Sequence, residues 1–187
     1  MLELTLALLS LGSAMAGPPP STESLPAIVL RSEPLADSER LEPMHREQGQ
    51  RFGIAFGTRL GTVDLAQPWI DYRGQTIPAG HYGLRYALQP RLKDHRGADA
   101  DRDFALLVPE AAGKPDQPRT PDQWIEASRQ VSGTHHPAVM SLRPWEESSP
   151  PPASPVARGE MLVVFRTMGD LVMGFVVRGH LEPPVAY

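Results

Sequence analysis

The stretch "EMLVVFRTMGDLVMGFVVRG", Glu160–Gly179, carries the fold. Two apolar runs meet at Gly169-Asp170, and a two-residue glycine-containing loop between such runs is a hairpin turn. Successive side chains of a strand point to opposite faces. Here Leu162 and Val164 oppose Val163 and Phe165, and Leu171, Met173 and Phe175 oppose Val172 and Val176. Both faces are apolar, so the spacing predicts a hairpin covered on both sides, at the middle of the molecule.

Upstream, the pattern stays that of a strand. In "GHYGLRYALQ", Tyr82, Leu84, Tyr86 and Leu88 share one face, with His81, Gly83, Arg85 and Gln89 on the other. "DFALLVP" (Asp103–Pro109) is an apolar run stopped by proline and reads as a buried strand. "AIVLR" (Ala27–Arg31) and "AVMSLR" (Ala138–Arg143) are shorter strand candidates, and Phe52, Ile54 and Phe56 alternate with small residues. Arg73-Gly74 and Pro78-Ala79-Gly80 mark turns. Between Arg31 and Arg51 the chain is polar and broken by Pro34 and Pro43, a long connection.

One segment departs from this rhythm. Thr120-Pro121-Asp122-Gln123 combines an N-cap threonine, proline at the first helical position and glutamine three residues on, which closes a capping box. Trp124, Ala127, Ser128 and Val131 follow on one face, and Gly133 is placed to end a helix over 121–131. The expected fold is therefore mainly β, an antiparallel β-sandwich of about six to nine strands with one short helix.

The chain ends frame that domain. "MLELTLALLSLGSAMAGPPP" has an apolar run from Leu4 to Leu11 and an A-x-A signal at Ala14-Met15-Ala16. The run is far shorter than the roughly twenty residues a bilayer-spanning helix needs. Residues 1–16 thus read as a signal peptide, although the first residues carry Glu3 and no Lys or Arg. A Pro/Ser-rich disordered segment (17–26) and one domain (27–187) follow, with a Pro-rich loop at 144–158. The mature chain holds no other segment apolar enough to span a membrane, and export to the periplasm or the extracellular space is the expected location.

Bulk composition narrows the chemistry. The 21 prolines fall in separate clusters, as linkers and turns do. With no cysteine there is no disulfide, thiolate metal site or cysteine nucleophile, so the domain depends on its core alone. Lys93 and Lys114 are the only lysines, the arginines are scattered and the net charge is −4, so no basic face for nucleic acid is expected.

Around "GQTIPAGHYGLRY" the chain resembles a group of uncharacterised bacterial exported proteins. Their common centre is x-I-P-A-G-x-Y-x-L-x, a Pro-Ala-Gly turn between two strands. The likeness extends over about 51–109, a third of the chain. It implies an exported β-sandwich and supplies no reaction.

The most chemically suggestive stretch is "KDHRGADADRD" (Lys93–Asp103). Asp99, Asp101 and Asp103 stand at i, i+2 and i+4, a spacing by which calcium loops converge carboxylates on one hard cation. A helix-loop-helix calcium site also needs glycine at its sixth position and glutamate at its twelfth. Counting from Asp99 gives Phe104 and Glu110, and counting from Asp94 gives Asp99 and Ala105. Lys93, Arg96 and Arg102 also nearly balance Asp94, Asp99, Asp101 and Asp103. The preferred reading is a solvated loop of Arg–Asp pairs with no bound cofactor, and calcium is the alternative. His135 and His136 diverge in an extended backbone, so a transition-metal site would need one of them to join His95 or His81. No serine-hydrolase, zinc-protease or phosphate-loop motif is present. Glu146-Glu147 lies in the Pro-rich loop, a poor platform for a rigid acid/base pair.

Trp69, Tyr72 and His95 are the candidate ligand-binding residues, as aromatics at the rim of a sandwich. The expected function is a non-enzymatic binding or structural module of the cell envelope. The alternative is a metal-dependent or carboxylate-based hydrolase with its site near Asp94, His95 and Asp99.

Overall fold

The computed structural model describes residues 28–71, 73–90, 102–113, 119–158 and 161–178. These form ten strands: β1 (Ile28–Ser32), β2 (Arg59–Leu65), β3 (Trp69–Ile70), β4 (Thr76–Ile77), β5 (Gly80–Leu88), β6 (Asp103–Pro109), β7 (Val139–Pro144), β8 (Val156–Arg158), β9 (Met161–Met168) and β10 (Leu171–Arg178). Among the described residues one α-helix, α1 (Pro121–Ser132), lies between β6 and β7. Eight strands make one antiparallel sheet in the order β1-β2-β5-β6-β7-β10-β9-β8, and β3 and β4 form a separate ribbon.

The mainly β, antiparallel, one-helix character matches the sequence reading. The eight-stranded sheet is curled into a half-barrel and does not divide clearly into two sandwich layers. The physical reason lies in β7. Its first half, Val139–Ser141, pairs with β6, and its second half, Leu142–Pro144, pairs with β10. One strand serving two neighbours in succession keeps both halves hydrogen-bonded together, and the sheet curls at this strand. Arg166 Nε, on β9, reaches across the open side to the Leu30 carbonyl of β1 at 3.4 Å.

Period-two alternation fills the concave side. Leu30, Val63, Leu84, Tyr86, Leu107, Met140, Leu142, Val164, Met173 and Phe175 belong to one buried cluster contributed by seven strands. The convex side is covered in two places. Trp124, Ala127 and Val131 are buried on one face of α1, and the first two pack on Phe104, Leu106 and Val139. Trp145 covers Val163, Phe165 and Val176 on β9 and β10. The hairpin of β9 and β10 is thus apolar on both faces because core lies beneath it and Trp145 above.

Local signals explain the elements. Gln123 N–H donates to Thr120 Oγ1, Thr120 N–H donates to Gln123 Oε1, and Gly133 ends the helix in the left-handed region at φ 66°. Gly61 sits at φ 139° in a bulge of β2, and a Cβ there would lie 1.9 Å from the Arg31 carbonyl oxygen. Only glycine lets β1 pair so closely with β2 at this bulge.

Two expectations need adjustment. Phe52, Ile54 and Phe56 do not form a strand, because Gly53 and Gly57 take positive φ values, 60° and 86°. Ile54 makes only an isolated bridge to Arg40. The stretch 144–158 is not loop throughout, since Val156–Arg158 adds β8 to the sheet edge.

Candidate functional site

The sequence candidates separate in space. Asp103 opens β6 and is fully buried. Its carboxylate accepts from the Arg51 N–H at 3.0 Å, from the Phe52 N–H at 3.5 Å and from the Tyr86 hydroxyl at 2.5 Å. Gln50 Nε2 donates to the Tyr86 oxygen at 3.0 Å and to the Ile54 carbonyl at 2.8 Å. This network ties residues 50–54 to the centre of the sheet. Burial, and next the Asp103 charge, push the Tyr86 phenol far above its ordinary value. Asp103 is therefore a structural acceptor beneath the surface and not part of an exposed loop, while Arg102 donates to the Gln89 and Gln48 carbonyls at 2.8 and 2.7 Å.

Asp94, His95, Asp99, Asp101 and Tyr72 lie outside the described residues. Trp69 is buried, and its indole N–H donates to the Val177 carbonyl at 2.7 Å. It plugs the core beside β10 and offers no exposed ring to a ligand. The described histidines are dispersed. His45 closes a short 3₁₀ turn, Pro43–His45. His81 pairs across strands with Asp64, which Arg31 also contacts. Those hydrogen bonds, Arg31's first, lower the Asp64 carboxyl below its usual range. His135 and His136 follow α1. Among the described residues, no group of three or more His, Asp or Glu is placed to hold a metal ion.

A second buried carboxylate orders the β3–β4 ribbon. Asp71 accepts from the backbone N–H groups of Arg73 and Gln75, both at 2.9 Å, and from Gln75 Nε2 at 2.8 Å. Burial raises its pKa against those bonds. Gln75 also donates to the Pro137 carbonyl at 3.2 Å, which fastens the ribbon to the segment after α1.

The residues best placed to meet a ligand were not singled out together by the sequence. An open cleft of about 460 Å³ is lined by Arg51, Arg143, Glu146, Glu147, Arg158 and, as its apolar floor, Met161 and Phe165. The lining thus combines two glutamates with three arginines. Each comes from a different element: residue 51 beside the Asp103 network, Arg143 on β7 and Arg158 on β8. Arg143 is half-buried and donates to the Leu142 carbonyl at 3.2 Å, with Met161 Sδ at 3.8 Å.

The outer wall is the arm between β7 and β8. Trp145 stands edge-on to Phe165 with ring centroids 4.7 Å apart, and its N–H donates to the Ser149 carbonyl at 2.6 Å. Arg158 lies 5.3 Å from the Trp145 ring centroid and donates to Glu147 Oε1 at 2.6 Å. Proline density hid this site. The arm reads as loop, yet Trp145 and Glu147 bind it to the sheet, and an aromatic within a Pro/Ser-rich segment was the only cue.

Comparison with known proteins finds no matching protein family, no similar curated protein and no similar solved structure.

Proposed function

We propose that the chain is an exported, non-enzymatic binding module of the cell envelope and that the arginine-lined cleft is its ligand site. The cleft carries the reading. Its volume falls in the range of small-molecule sites, and it combines an apolar floor with a few convergent polar groups. Guanidinium groups present fixed donor forks suited to oxyanions. Among the described residues, the cleft's lining contains no histidine, and Arg158 pairs with Glu147 within it. The Ala14-Met15-Ala16 signal supports export.

Thermal unfolding of the purified protein with millimolar carboxylates and phosphate tests the binding half. A ligand of the folded state at a hundredfold excess over Kd adds about 2.7 kcal/mol of stability. Arg143→Gln is expected to abolish the shift, and an equal shift in that variant rejects the site. Mass spectrometry of the chain from its native host tests export. A start near Gly17 is expected, and intact Met1–Ala16 rejects it.

A further inference from the structure

We infer that the cleft takes a ligand bearing carboxylate groups and that Glu147 is its built-in competitor, an inference that rests on the binding-module reading above. Arg158 already holds a carboxylate, that of Glu147, at 2.6 Å within the cleft. Both partners are substantially exposed, 43% and 51%, so water screens the pair and exchanging it costs little. Glu147 belongs to an arm that is fixed at its base by Trp145 against Phe165 and by the Trp145–Ser149 bond. Releasing Glu147 therefore leaves the base of the arm in place and frees the Arg158 fork. An incoming carboxylate that replaces it enters a cleft that Arg143 and Arg51 also line. No covalent step is involved, only the exchange of one carboxylate for another. The chemistry is shared by a small dicarboxylate and by an acidic peptide segment.

Calorimetric titration of the full chain with succinate, a blocked tetraglutamate peptide and inorganic phosphate tests this. At least one carboxylate probe is expected to bind, and the stronger of the two identifies the source. Glu147→Gln is expected to tighten binding about three- to fivefold, the size of a lost exposed ion pair. Glu146→Gln, which changes the same charge without breaking that bond, is expected to give a smaller gain. In an Arg158→Gln background, Glu147→Gln is expected to give none. Equal gains from Glu146→Gln and Glu147→Gln, or a gain that survives loss of Arg158, overturn the competitor role while the cleft stands as a site. Phosphate binding more tightly than both carboxylate probes overturns the ligand class. Absence of binding by every probe to both wild type and Glu147→Gln overturns the site itself.

Discussion

Removing the Asp103 carboxylate strands two backbone N–H groups and the Tyr86 hydroxyl inside the sheet. Asp103→Ala is expected to cost about 3 kcal/mol, the penalty of leaving buried donors unsatisfied, and urea unfolding measures it. The same commitment bears on calcium. A carboxylate holding three protein donors is a poor cation ligand, so millimolar calcium added to EDTA-treated protein is expected to leave the melting temperature unchanged. A rise that vanishes in Asp99→Asn/Asp101→Asn would restore the metal loop. Asp71 predicts a pH dependence. Its raised pKa means that the folded state keeps the proton after the unfolded chain has lost it. Its contribution is full below the ordinary carboxylate value and is lost as pH rises through the raised one. Unfolding measured across the acid range should show this falling component in the wild type and not in Asp71→Asn, which is also expected to lose about 1 kcal/mol because Gln75 Nε2 then faces an amide.

At the level of elements, the capping box and the hairpin carry separable costs. Thr120→Ala is expected to lose about 1 kcal/mol through the N-cap. Phe175→Ala, in the covered strand β10, is expected to lose about 3–5 kcal/mol, and a loss below about 1 would mean that the hairpin is not central. Thermal or urea unfolding of each variant decides both. These are the elements that were readable in advance, because their signals are local: a four-residue cap, a two-residue turn, an apolar run ended by proline. β6 occupies the expected span, Asp103–Pro109, and α1 extends one residue beyond the expected end. β8 was not readable, since three residues at a sheet edge among prolines carry almost no periodicity. Phe52-Gly53-Ile54 misled because alternation survives even where glycine turns the backbone. The Asp103 network and the cleft were hidden for another reason. The Asp103 network joins residues 50–52 to Tyr86 and Asp103, and the cleft joins Arg51 to residues 143–165, so only the folded register brings them together.

On the scale of the molecule, the half-barrel depends on what joins its two flanks. One flank is β1, β2, β5 and β6 with α1, and the other is β8, β9 and β10. Strand order and closure are long-range properties, which is why the same alternating pattern suggested a sandwich. β7 is the seam, with three residue pairs to each side, and Arg166 contacts β1 across the open face. The chain crosses from one flank to the other through the exposed arm after β7. A break in that arm would sever the polypeptide while leaving every strand pair in place. The protein is thus a natural candidate for a split reporter. Fragments 1–150 and 151–187, produced together, are expected to copurify as a complementing pair held by the β7–β10 seam and the shared core, and Phe175→Ala in the smaller piece should abolish their capture.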